Sequence, residues 1–83
     1  MFYFYILKSE KTAEYYIGST ENFENRLELH NAGKVKSTKS SKPLQRVFIQ
    51  NFPTLQEARR MEVKVKKWKS RRAIERLIKT FNF

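Results

Sequence analysis

Tyr5, Tyr16, Arg26, His30 and Glu62 are the side chains of this 83-residue chain whose types and spacing could do chemistry together. As a set they suit phosphodiester hydrolysis. A lone carboxylate such as Glu62 can hold one Mg²⁺ or Mn²⁺, with water in the other positions, because hard cations take oxygen ligands. Such an ion stabilises a developing oxyanion. Arg26 offers a guanidinium fork that fits two phosphate oxygens. A tyrosine near a metal ion and cations gives up its proton more readily than its reference pKa of ~10 suggests, and can then act as a general base. The lack of a second nearby carboxylate argues against a two-metal nuclease. The absence of Cys and the single His argue against zinc.

Taken singly, each residue has a plainer reading. Tyr5 and Tyr16 read as sheet core, His30 as a hydrogen-bonded core residue, Arg26 as half of a salt bridge. Glu62 is the most informative. With Ala58 at zero on a helical wheel, Val65 lies near about −20°, Glu62 near about +40° and Leu55 near about +60°. Glu62 is therefore inside the apolar arc, where an unpaired carboxylate costs several kcal/mol or takes up a proton. A metal ion, a buried Arg such as Arg26, or a water-filled cleft would compensate it.

These residues need elements to hold them. Residues 2–8 are aromatic and β-branched without a breaker and read as a central strand. Residues 14–18 read as a second strand, ended by Gly18, and Ser9 to Ala13 as the hairpin turn between the two. The hairpin would set Tyr5 and Tyr16 side by side. A first helix should run from about Glu21 to Ala32, with Thr20 as N-cap and Gly33 as stop. It carries Phe23, Leu27 and His30 on one stripe, with Arg26 beside His30. Residues 31–43 read as a mobile basic loop. Leu44 to Phe52 is the third strand. Thr54 to Glu57 form a capping box for a second helix ending near Lys69. Ser70 caps a third helix with Ile74, Leu77, Ile78 and Phe81 in its stripe. The result is an α+β fold of order β-β-α-β-α-α, a small three-stranded sheet flanked by helices. The five chemical residues are expected to project from elements packed on one sheet face.

The length implies one domain covering residues 1–83. No apolar run approaches a membrane span and the start does not read as a signal peptide, so a cytoplasmic protein is expected. The formal net charge is +10 and the pI is about 10.2. Residues 1–30 hold three basic side chains against five acidic ones, whereas residues 31–83 hold fifteen against three. So uneven a charge favours a polyanionic partner, nucleic acid before an acidic membrane surface. Lys34, Lys36, Lys39 and Lys42 in the loop, with Lys66 and Lys69, are the expected contacts.

The ordered series Tyr5, Tyr16-Ile17-Gly18, Arg26, His30 and Glu62 resembles the GIY-YIG nuclease superfamily, and most closely its small stand-alone bacterial members. The resemblance spans about residues 3 to 78. Tyr3-Phe4-Tyr5 takes the place of the first motif, Gly-Ile-Tyr, with Tyr3 where the motif has glycine. Tyr16-Ile17-Gly18 matches the second. The resemblance implies a three-stranded antiparallel sheet and hydrolysis of DNA phosphodiesters with one divalent ion, Mg²⁺ or Mn²⁺. It makes Tyr5 the general base, Tyr16 its support, Arg26 the phosphate contact and Glu62 the metal ligand, and matches His30 to a histidine found in many members. Ser19 stands where repair-type members often have lysine, so a cation for the tyrosine would come from elsewhere, Lys8 being one source. The expected substrate is DNA, duplex or branched, in repair or branched-DNA processing, with RNA also open. No appended DNA-recognition domain is expected, so specificity would come from the basic residues, including Lys64, Lys67, Arg71 and Arg72, or from a protein partner. The rival reading is a non-catalytic nucleic-acid-binding module of the same fold.

Overall fold

The computed structural model describes residues 1–81, apart from the side chains of Ser37 and Phe81. The expected place of Phe81 in the last apolar stripe therefore lies outside the described residues. Strand β1 (Phe2–Ser9) forms where aromatic and β-branched residues run without a breaker. It is the central strand of a three-stranded antiparallel sheet of order β2-β1-β3, flanked by β2 (Tyr15–Thr20) and β3 (Leu44–Phe52). Helix α1 (Phe23–Asn31) follows β2, a single 3₁₀ turn (Lys36–Thr38) interrupts the basic loop, and helices α2 (Leu55–Trp68) and α3 (Arg71–Phe81) close the chain. The expected fold class and element order hold.

Alternation along β1 gives the sheet two buried faces. Tyr5 and Leu7 meet Phe23 and Leu44 on the α1 side. Phe4 and Ile6 meet Phe48, Val65 and Leu77 on the side of α2 and α3. Phe4, Ile6, Leu7 and Val65 are fully buried, and each contributes roughly 1.5–3 kcal/mol by leaving water. Because α1 and α2 cover opposite faces, the chemical residues do not all project from one face, as the sequence suggested.

Local signals set the ends of the elements. β2 runs on through Thr20, so Gly18 is an interior strand residue rather than the strand's end. With Thr20 in the strand, the α1 cap falls to Asn22, whose side chain accepts from the Asn25 amide at 3.0 Å. At the other end Gly33 has φ 75°, and the Gly33 and Lys34 amides bond back to the His30 and Leu29 carbonyls. This is a Schellman ending that favours glycine. Thr54 caps α2 through the Glu57 amide, but the Glu57 carboxylate meets the Thr54 hydroxyl instead of reaching its backbone amide. Lys69, with φ 47°, ends α2 in a left-handed conformation, and Ser70 Oγ caps α3 by accepting from the Ala73 amide. Among the described residues no helix is long and apolar enough to cross a membrane. The outer side of α1 is acidic: Glu21 and Asn22 lead into it, and Glu21, Glu24 and Glu28 are all exposed.

Candidate active site

The antiparallel register sets Tyr5 opposite Gly18 and Leu7 opposite Tyr16. Tyr5 and Tyr16 therefore share the α1 face but stand diagonally rather than side by side. The Tyr5 ring is buried and makes T-shaped contacts with the rings of Phe23 and His30. Its hydroxyl lies where a Cβ on Gly18 would have to be. Glycine is thus required here by the close approach of a ring, not by an unusual backbone angle.

His30, four residues after Arg26 on α1, points inward and is only 4% exposed. Its Nε2 stands 3.4 Å from the Tyr5 hydroxyl and its Nδ1 2.7 Å from Thr38 Oγ1. Burial lowers the His30 pKa, and the Arg26 guanidinium lowers it further, so the imidazole is neutral near pH 7. Thr38 Oγ1 is also 3.5 Å from the Val35 carbonyl, which can take its proton. Nδ1–H then donates to Thr38, leaving Nε2 to accept from Tyr5. The result is a buried relay from Tyr5 through His30 to the basic loop.

The Tyr16 hydroxyl donates to Glu14 Oε2 at 3.0 Å and lies 2.7 Å from Ser41 Oγ. Ser41 is buried, and its carbonyl accepts from Ser9 Oγ at 2.6 Å. The loop expected to be mobile is thus pinned to the sheet at Thr38 and Ser41. Between and beside these pins, Lys34, Lys36, Lys39 and Lys42 are exposed.

Arg26 is half-buried on the cleft wall, and its side chain has no hydrogen-bond or ionic partner among the described residues. Glu62 is not its partner. Standing on α2, Glu62 lines the cleft from the α2 side of β2, where Oε1 accepts from Ser19 Oγ at 2.5 Å and Oε2 from Lys66 Nζ at 2.7 Å. Its side chain is 22% exposed. The buried-pair alternative fails, and the water-accessible cleft accounts for this carboxylate.

Tyr5, Tyr16, Gly18, Arg26, His30 and Glu62 therefore all line one open cleft of about 640 Å³, built around the free edge of β2. Lys66, Lys69 and Arg71 extend the same cleft. Lys64, Lys67 and Arg72 are exposed and line none of it. Lys8 does not serve Tyr5 or Tyr16: its ammonium lies over the ring of Tyr15 at 5.7 Å, on the opposite face of the sheet. Arg71 covers the same ring at 4.7 Å, and the Tyr15 hydroxyl donates to Glu75. Burial and that bond raise the Tyr15 pKa, so Tyr15 holds its proton and clasps α3 to the sheet.

Thr38, Ser41 and Ser19 were missed from the sequence. Small hydroxyl residues in a lysine-rich loop look like spacers, and only the fold shows which of them meet His30 and Tyr16. Among the described residues no three His, Cys, Asp or Glu side chains gather to hold a metal ion. The donor set still fits a hard divalent cation, which binds through one or two carboxylates and keeps several waters. Glu62 faces a wet cleft, and a positive group, the Lys66 ammonium, already sits on one of its oxygens.

The sequence profile of the GIY-YIG catalytic domain matches residues 1–76. A UPF0213 protein of Bacillus licheniformis is 40% identical over 77 residues, covering 92% of this chain and 77% of its own. The UPF0213 protein SH2523 of Staphylococcus haemolyticus is 42% identical over 65 residues, covering 77% of this chain and 78% of its own. The solution NMR structure of the UPF0213 protein BH0048 from Bacillus halodurans superposes with a TM-score of 0.62 at 35% identity, covering 98% of this chain and 86% of that one. With β1 and β2 carrying the two tyrosine motifs, α1 the Arg and His, and α2 the Glu, this chain belongs to the GIY-YIG catalytic domain family.

Proposed function

We propose that the protein is a metal-dependent endonuclease that hydrolyses DNA phosphodiester bonds, on duplex or branched substrates. The observation that carries this reading is the meeting of Tyr5, Arg26, His30 and Glu62, from both sides of the sheet, in one cleft. The surrounding lysines and the net charge of +10 supply the attraction for a polyanion.

Each residue has a role that its position supports. The Arg26 fork, with no competing partner among the described residues, binds the scissile phosphate. Tyr5 takes a proton from the attacking water while passing its own to His30 Nε2, so a buried phenol need not sustain a full negative charge. The water oxygen forms its bond to phosphorus, the ester oxygen leaves with the bonding pair, and solvent protonates it. Tyr16, held by Glu14 and Ser41, orients the nucleophile from the neighbouring position. Glu62 would hold the Mg²⁺ or Mn²⁺ ion, whose charge, when bound, stabilises the departing oxygen.

The test is cleavage of supercoiled plasmid and of single-stranded, duplex, branched and RNA substrates in Mg²⁺, in Mn²⁺ and in EDTA. Nicking that needs the metal and is lost in Glu62→Ala and Tyr5→Phe supports the enzyme. One observation favours the second reading, a binding module without catalysis: both Glu62 oxygens are already engaged. Binding without cleavage on every substrate would establish that reading.

A further inference from the structure

The two groups on Glu62 differ in kind. Ser19 is fixed in β2, so its hydroxyl orients Oε1 and leaves Oε2 as the working oxygen. Lys66 lies one helical turn after Glu62, with its side chain about half exposed. Its ammonium is a compact positive charge on a flexible stem, resting on the oxygen that a divalent ion would use. Two cations cannot share that oxygen at such range, so Lys66 and the ion compete.

Lys66 has an alternative anion within the same cleft. Lys69 lines the cleft beside it and has no side-chain partner among the described residues. Arg71 is drawn off by Glu75 and the Tyr15 ring. A DNA phosphate arriving beside Lys69 would therefore find Lys66 as its second cation.

We infer that Lys66 is a substrate-responsive guard on Glu62. Without nucleic acid its ammonium occupies the carboxylate. When a DNA phosphate binds beside Lys69, the ammonium moves to that phosphate and opens Glu62 to the divalent ion. This rests on the reading of Glu62 as the metal ligand. Binding of nucleic acid and of the ion is then positively coupled, and the coupling is reciprocal. The guard is soft, because an exposed pair one helical turn apart biases an equilibrium by a few-fold and does not block it.

The test is Mn²⁺ titration of the metal-free protein without DNA, followed by electron paramagnetic resonance of the free ion. Lys66→Ala should bind Mn²⁺ about fivefold tighter than the parent. Lys67→Ala, which removes the same charge from the outer face of α2, should stay within about twofold of it because of screening. Glu62→Gln should lose the site. In EDTA, a short duplex should move the Glu62 side-chain carboxyl ¹³C resonance of the parent towards its position in Lys66→Ala, and leave that of Lys66→Ala in place. Equal Mn²⁺ affinity in the parent and Lys66→Ala, with Glu62→Gln impaired, overturns the guard and leaves the metal reading standing. Equal gains in Lys66→Ala and Lys67→Ala also overturn the guard. Binding unaffected by Glu62→Gln overturns the metal reading and the guard with it. A Glu62 resonance that ignores bound duplex overturns the transfer.

Discussion

The hydroxyl of Tyr5 occupies the space over Gly18 in which a side chain would begin. Both residues sit in paired strands, and the Tyr5 ring is wedged between Phe23 and His30. The ring is stiff and buried, so a methyl group at position 18 must push it. Gly18→Ala should destabilise the protein by about 1–3 kcal/mol in chemical denaturation. It should also reduce cleavage more than stability, because the displaced hydroxyl leaves His30 Nε2. An unchanged denaturation midpoint would show that the ring has room to move.

Stability should depend on pH through His30. Its folded pKa lies below the ordinary value of ~6.5, through burial first and Arg26 second. The unfolded chain therefore binds a proton more readily than the folded one. The contribution is fully present above about pH 6.5 and is lost as pH falls through the lowered folded value. Urea unfolding should give lower stability at mildly acidic than at neutral pH. As this is the only histidine, an NMR titration follows it directly. Arg26→Met should raise its pKa towards the ordinary value, and no change would remove Arg26 as a cause.

Thr38 separates hydrogen bonding from shape. Thr38→Val keeps the volume but leaves Nδ1 of a buried imidazole unpaired. A loss of roughly 1–3 kcal/mol is expected, with a change of tautomer visible in the ring ¹⁵N shifts. Thr38→Ser should restore both. Equal behaviour of the two variants would rule out the hydroxyl as the orienting group.

Lys69 holds a left-handed conformation that glycine adopts more easily. Lys69→Gly should leave thermal stability unchanged or raise it by up to ~1 kcal/mol. It should also weaken DNA binding and make the logarithmic salt slope shallower by roughly one phosphate contact. A residue kept at a conformational cost for its ammonium predicts this opposition. A loss of stability with unchanged affinity would assign Lys69 to the fold alone.

Glu62→Gln should change stability by no more than about 1 kcal/mol, since the Lys66 pair is exposed and Ser19 can still donate to the amide oxygen. A loss of roughly 3 kcal/mol or more, as for a broken buried pair, would contradict the open cleft.

Much of the fold was legible because local chemistry and tertiary context agree. The unbroken aromatic run at residues 2–8 is the central strand, the Thr54 cap starts α2, and Ser70 caps α3. Gly18 misled because glycine commonly punctuates a strand, whereas here a ring from the next strand fills its missing side chain. The shift of the cap from Thr20 to Asn22 followed from that longer strand. Glu62 stood out by its place in the apolar arc, but a helical wheel cannot show that α2 lies across the sheet from α1 or that an arc can end at a cleft. The pinned loop was illegible for a similar reason. Thr38 and Ser41 are ordinary polar residues until the fold brings His30 and Tyr16 to them.

Exposed acidic side chains gather at α1, as Glu21, Glu24 and Glu28, whereas the exposed lysines lie on the loop, on α2 and at the α2–α3 junction. In the field of a polyanion such a molecule experiences a torque as well as a pull. If the partner is the nucleic acid of the proposed function, Glu21, Glu24 and Glu28 are repelled while the lysines are drawn in, so the uneven charge biases how encounters begin. This alignment acts before any contact forms and fades as salt shortens the reach of the field. The three glutamates would thus affect how fast the protein finds its partner without ever touching it.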